Sequence, residues 1–212
     1  MEMVGHKKLS RIFYPAFVNL IWQLPRKKPV VYLTFDDGPY PPVTREVLRI
    51  LAGFEARAVF FVSGEQIFQY RHQLGDLDYS HHLIGNHGFY HQPYILKSRK
   101  RIRSEIQLTD RLIQKYIKQP SAFFRPPFGM FGKNLHRILS DMKKDLVMWS
   151  VMSYDFRWPA EKVLAYLKNN LESGDIIVFH DSPVAGDTLL QVLPPFLEYC
   201  QTNNFQFLLF HK

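Results

Sequence analysis

Several side chains in this sequence combine type and spacing in ways that suggest chemistry. Asp36 and Asp37 stand side by side where the apolar run of "VVYLTFDDGPYPP" (Val30 to Pro42) stops. Adjacent carboxylates repel each other and resist desolvation. A polar turn would accept them. So would a site that needs one carboxylate for a metal and another for a proton. "NHGFYH" places His87 and His91 four residues apart, a spacing that converges two imidazoles on one side of a helix or across a turn. With a carboxylate from a neighbouring strand end they form a His-His-Asp set. Such a set leaves positions open on a catalytic zinc for water and substrate. Non-haem iron oxygenases use a similar set, but with a close His-x-Asp pair that is absent here. His81 and His82 precede the strand and read as surface residues.

"FFRPPFGMFG" supplies Arg125, a fixed positive charge able to hold a carboxylate in bidentate geometry. Pro126 and Pro127 carry no N–H, so Phe128 offers the first donor of a stiff loop, which suits an oxyanion. His180 closes "IIVFHD" and is a candidate acid for a leaving group. If one Asp ligates a metal and the other faces its bound water, the ion offsets their repulsion and the second Asp takes the proton.

The elements that must position these groups follow from apolar patterning. Strands are expected at 30–35, 56–63, 83–87, 122–127, 145–150, 175–180 and 205–210. Most are continuous apolar runs, as in strands covered on both faces. Between them, Val43, Val47, Leu48, Leu51 and Phe54 share a helical face. So do Ile102, Ile106, Ile113, Tyr116 and Ile117, and then Val163, Leu164, Leu167 and Leu171 behind Pro159. A last face, Leu189 to Cys200, contains Pro194 and Pro195, which should bend or restart its helix. The segment 64–82 has no clear period. This α/β alternation implies parallel strands with right-handed crossovers. A barrel one unit short of eight and an open doubly wound sheet both fit, although no Gly-rich phosphate loop follows the first strand. In either fold Asp36 and Asp37, His87, Arg125, Trp149 with Asp155 beyond it, and His180 fall at strand ends on one face.

The chain has 212 residues, 46% hydrophobic and 22% charged, which suits one soluble globular core. One cysteine, Cys200, cannot form an internal disulfide, and its apolar neighbours mark it as a small buried side chain. The net charge of +8 favours anionic partners, but the densest basic run, Lys97 to Arg103, opens a helix and carries no nucleic-acid signature. Nucleic acid is not expected as a partner. The N-terminal segment is basic and then apolar, like a signal peptide in outline. Pro15 and Asn19 interrupt it, no small-residue cleavage site follows, and it is too short to span a bilayer. Residues 1–29 are expected to be an arm packed on a domain covering 30–212, with contact to a membrane surface as the lesser reading. A cytoplasmic location is expected.

"TFDDGP", "H-x-x-x-H", "RPPFG" and "IVFHD" occur in the order and spacing of the polysaccharide deacetylases, the NodB-homology domain of carbohydrate esterase family four. The sequence resembles that family from about residue 30 to 210. The resemblance implies a distorted seven-stranded (β/α) barrel, similar to a TIM barrel. It implies a divalent metal, usually zinc with cobalt or another ion possible, and removal of N-acetyl groups from amino sugars of a glycan. By matching position, Asp36 resembles the base, Asp37 with His87 and His91 the metal ligands, and Arg125 the tether of the base. Asp155 resembles the aspartate that tunes the catalytic His180, and Phe128 and Trp149 line the substrate site. Gly88 stands where the family usually carries a hydroxyl residue, and Met152 and Phe156 replace an Asp and a Trp of the fourth motif. Those departures keep two alternatives open: a deacylase or deformylase of a small or lipid-linked amide, and a glycan-binding protein without catalysis.

Overall fold

A computed structural model of the protein describes residues 20–24, 28–95 and 97–210. Of the arm expected over 1–29, residues 1–19 and 25–27 lie outside the described residues. Among the described residues nine strands form one sheet, all pairs parallel. They are β1 (Leu20–Ile21), β2 (Val30–Asp36), β3 (Ala58–Val62), β4 (Leu83–Asn86), β5 (Phe123–Phe124), β6 (Asp145–Val147), β7 (Val151–Met152), β8 (Asp175–His180) and β9 (Gln206–Phe207). The order is β1-β6-β5-β4-β3-β2-β8-β7, with β9 paired to the start of β2.

The seven expected strands are all present, and two further strands, β1 and β7, join them. The strand expected over 145–150 ends at Val147, and the chain changes partners before a second strand starts at Val151. The first, β6, pairs with β1 and β5, and the second, β7, pairs with β8. Those two strands lie near opposite ends of the strand order, yet only three residues join them. Three residues span roughly 10 Å at most, so the sheet has to curl until its edges approach. The joining segment bonds both sides: Met148 N–H donates to Ile21 O and Ser150 N–H to Ile176 O. β1 thereby enters the sheet ahead of the boundary expected at residue 30.

Six α-helices cover the outside: α1 (Pro41–Gly53), α2 (Gly64–Tyr70), α3 (Arg99–Leu112), α4 (Lys133–Asp141), α5 (Ala160–Asn170) and α6 (Gly186–Thr202). A π-helical turn, Ile113–Ile117, extends α3. Prolines open α1 at positions where the missing N–H is harmless, and Ser63 and Ser98 cap α2 and α3 through Gln66 N–H and Arg101 N–H. α6 runs through Pro194 and Pro195 instead of restarting, because its Leu189, Leu193, Phe196, Leu197 and Cys200 face is fully buried and tertiary packing outweighs the local penalty. α2 falls in the segment without a clear period, and α4 was not expected. No helix among the described residues is long and apolar enough to cross a membrane.

Strand alternation divides β2 between two cores. Val31, Leu33 and Phe35 face the outer helices, with Phe35 stacked 4.9 Å from Phe60. Val30 and Tyr32 face the interior with Val59, Phe61, Phe123, Val147 and Ile176. The same period of two puts Thr34 and Asp36 on the interior face. Phe60→Ala should therefore destabilise the fold by about 3–5 kcal/mol, measurable by urea unfolding, while an exposed change such as Gln201→Ala leaves the midpoint nearly unchanged.

Candidate active site and metal centre

The interior of the barrel holds a buried ion pair. Arg125 leaves the end of β5 and is completely buried. Its Nη1 donates to Asp36 Oδ1 and to Thr34 Oγ1, each at 2.7 Å, and Nη2 and Nε donate to Met148 O and Val147 O. The guanidinium lies 4.1 Å over the Phe61 ring and 5.6 Å from that of Trp149. Burial pulls the Arg125 pKa down, and the Asp36 carboxylate counters that. One carboxylate oxygen of Asp36 is thus fixed, and the other faces His87 Nε2 at 3.9 Å.

Asp37 leaves the strand with φ 75°, a left-handed turn that aims it away from its neighbour. Its Oδ1 lies 2.9 Å from His91 Nε2 and 3.5 Å from His87 Nε2. That oxygen is buried but has no hydrogen bond of acceptable geometry. Burial alone would raise the Asp37 pKa; the facing His87 and His91 reverse this and hold it well below the usual carboxylate range. His91 is displaced upward: burial opposes the shift and Asp37 drives it. His87 Nδ1 lies 2.8 Å from Arg125 O, and a carbonyl can only accept, so Nδ1 carries the proton and the Nε2 lone pair points at Asp37. One ligand atom from each of Asp37, His87 and His91 lies within 4.8 Å of the others. A buried acceptor without a donor and two imidazoles presenting Nε2 fit a divalent ion with N and O ligands.

Across the cavity, Asp155 clamps His180 with both oxygens. Oδ1 accepts from Nδ1 at 2.7 Å and Oδ2 from the His180 backbone N–H at 2.8 Å. Burial would lower the His180 pKa, but Asp155 and then Asp37 and Asp36 raise it to about 9. Nε2 is left to the cavity. The cavity measures about 510 Å³ and brings together Asp36, Asp37, His87, His91, Phe128, Trp149 and His180. The Phe128 ring lies 4.5 Å from that of His91, and Phe156 stands edge-on to His180 at 5.0 Å. Met152 also lines it. Every residue anticipated for the site is therefore in or directly behind one cavity.

Several supporting residues escaped sequence reasoning. Thr34 accepts from Arg125 and donates to Ile177 O. Asn86 Oδ1 accepts from Gly88 N–H at 2.8 Å, while its amide donates to Ile106 O and Asp110 Oδ1. Thr109 Oγ1 donates to Gly88 O at 3.0 Å. The loop that carries His87 and His91 is thus fastened on both sides of Gly88 by Asn86 and Thr109. Asp181 is buried against Gly38, with Thr44 Oγ1 2.5 Å from its Oδ2. Burial and the nearby Asp37 and Asp36 push it up to about 8 against the Thr44 hydrogen bond. "NH" and "HD" dipeptides carry the only hint of Asn86 and Asp181. His82, expected at the surface, is instead buried and accepts the Ala58 N–H through Nδ1, because it fills the space against Phe60. His81 is exposed as expected.

Residues 23–147 match the polysaccharide deacetylase family, more than half of the chain. A peptidoglycan-N-acetylglucosamine deacetylase of Bacillus cereus is 28% identical over 163 residues, 76% of this chain and 76% of that protein. The peptidoglycan-N-acetylmuramic acid deacetylase PdaC of Bacillus subtilis is 30% identical over 77% of this chain but 36% of its own length. A chitooligosaccharide deacetylase of Azorhizobium caulinodans is 29% identical over 71% of this chain and 73% of that protein. Among solved structures, a peptidoglycan N-acetylglucosamine deacetylase bound to an N-oxidanyl-benzamide superposes with a TM-score of 0.85 at 23% identity, covering 90% of each chain. A family pseudoenzyme from Bacillus anthracis superposes at 0.81 with 22% identity, covering 88% of this chain and 66% of that one. Both show the shared fold.

Gly88 has φ +80°, and a Cβ there would lie 2.5 Å from the Tyr94 hydroxyl. Gly88→Ser, which introduces a hydroxyl residue of the kind usual in the family, should weaken zinc binding in a competition titration instead of improving it. A second expectation concerns His180. Its pKa is raised from the ordinary 6.5 to about 9, so its contribution to stability is complete below pH 6.5 and lost as pH rises through about 9. In metal-free protein, Asp155→Asn should move the His180 NMR titration to lower pH. The stability difference from wild type should shrink between pH 6.5 and 9.

Proposed function

Because the chain belongs to the polysaccharide deacetylase family, we propose that it hydrolyses the N-acetyl amide of amino sugars in a glycan, giving acetate and a free amine. The observation that carries this reading is the meeting of three groups in one cavity: Asp36 with Arg125 behind it, Asp37 with His87 and His91, and His180 with Asp155. The named activities of the relatives, on peptidoglycan and chitooligosaccharide, support the substrate class.

Asp37, His87 and His91 would hold the ion, zinc in the first instance with cobalt or another divalent ion able to replace it. When bound it acidifies water and polarises the amide carbonyl. Asp36 takes the proton of the attacking water through the oxygen that Arg125 leaves free. Arg125 keeps that carboxylate in place and stays charged. His180, its Nδ1 held by Asp155, protonates the departing nitrogen from Nε2. The N–H of Phe128 follows two residues that lack one, and its left-handed φ of 58° turns the loop at the cavity wall; it is the candidate oxyanion donor. Trp149 forms the wall beside it. Residues 30–212 are read as the catalytic domain, and the lone cysteine, which is buried, agrees with a cytoplasmic protein; cell fractionation tests the location.

Zinc- or cobalt-loaded protein should release acetate from N-acetylglucosamine oligomers. Release from no acetylated or formylated sugar, with no bound metal, favours the glycan-binding alternative. The two aspartates should fail differently. Asp37→Asn should lose metal and activity together, because a neutral amide is a poor zinc ligand. Asp36→Asn and His180→Ala should retain metal and substrate affinity while kcat falls about 10²–10⁴-fold. Metal lost from Asp36→Asn and kept by Asp37→Asn would reverse the assignment.

A further inference from the structure

The rim of the catalytic face carries a surface that, apart from Phe128, the proposed reaction does not use. Two loops leave the C-terminal ends of strands and run into helices: residues 90–95 precede α3, and residues 130–132 precede α4. The loops touch. Tyr94 N–H donates to Met130 O at 3.1 Å, and Gly132 lies against Ile95 O, where a Cβ would stand 3.1 Å away. Tyr90, Ile95 and Met130 of these loops, and Phe128 just before the second, are 46%, 50%, 44% and 57% exposed. Large apolar side chains seldom gather in this way on a surface that meets only water.

The helices that follow these loops carry positive charge. Arg99, Lys100 and Arg103 of α3 meet Arg137 of α4 around one small cavity. Lys97 and Arg101 stand beside them, and both engage the buried Glu105. Arg103 pairs with Asp141. Six cations thus face two carboxylates, and Arg99, Lys100 and Arg137 have no ion pair among the described residues. Neither α3 nor α4 carries an acidic residue in its first turn, so the partial positive charge of each helix start adds to the patch.

We propose that this surface seats the protein on an anionic lipid bilayer, with the mouth of the active-site cavity held at the bilayer surface. The apolar side chains enter the headgroup boundary while the arginines and lysines of the following helices meet lipid phosphates. A soluble polyanion would use the cations but give no reason for four exposed apolar side chains on the loops that lead into the same helices. Phe128 belongs to both the patch and the cavity rim, so docking would bring an amide carried by a membrane-bound sugar to the site. Delivery of a sugar amide rests on the proposed function, whereas membrane binding itself is tested without any turnover.

The test is sedimentation of the full chain with vesicles of mixed phosphatidylglycerol and phosphatidylcholine, and with phosphatidylcholine alone. Wild type should bind the anionic vesicles, release them at high salt, and ignore the neutral ones. Ile95→Asp/Met130→Asp and Arg99→Gln/Lys100→Gln/Arg137→Gln should each weaken partitioning at least ~tenfold, with unchanged thermal melting. If the aspartate pair disturbs folding, Ile95→Ser/Met130→Ser replaces it with the same expectation. No wild-type binding to anionic vesicles overturns the proposal. So does binding that the apolar variants leave intact and dextran sulfate fully displaces, since that describes a polyanion site.

Discussion

A guanidinium and a carboxylate face each other at 2.7 Å inside the barrel, and the site is built on that contact. Either charge alone would be costly there. Removing one partner of a buried pair typically costs about 3–5 kcal/mol, because the other is left uncompensated. Arg125 limits that cost by giving each of its nitrogens an acceptor: Thr34, Asp36, Val147 O and Met148 O. Its backbone carbonyl then accepts from His87 Nδ1. One residue therefore links β2, β6 and the ligand loop, holding a carboxylate in one direction and setting an imidazole tautomer in the other.

The loops around that pair use backbone that ordinary residues avoid. Asp37, His91 and Phe128 all have positive φ, and all line the cavity. Left-handed residues cost free energy when they are not glycine, so the surroundings must hold them. For the ligand loop the holding groups are visible. Asn86 and Thr109 bind both sides of Gly88, and Glu105 accepts from Tyr94, Lys97 and Arg101. Lys144 bonds Asp110, which accepts from Asn86 in turn. The sharp turn at Asp37 is what lets two adjacent carboxylates serve different partners.

Parallel strand order also explains why chemistry and the proposed membrane surface share one face. Each strand ends at the cavity side, and each following helix begins there. α3 and α4 consequently begin on the face of the sheet where the cavity bordered by Phe128 opens.

The residues of the candidate site were legible in the sequence because they sit at the ends of apolar runs, and local patterning alone places strand ends on one face. Asp36, Asp37, His87, His91, Arg125 and His180 needed nothing more than that to be singled out, and the motif order added the roles proposed for them. What depended on contacts between distant segments was not legible. The partner change between β6 and β7 follows from curling of the whole sheet, which no window of residues encodes. His82 is buried because Phe60, on another strand, leaves a space for it. The helix through Pro194 and Pro195 survives because its opposite face packs on the sheet. Asn86, Thr109 and Thr34 look like ordinary polar residues until the fold brings Asp110, Gly88 and Arg125 to them respectively. Hydrogen-bond partners separated by 21 to 91 residues are chosen by tertiary structure alone.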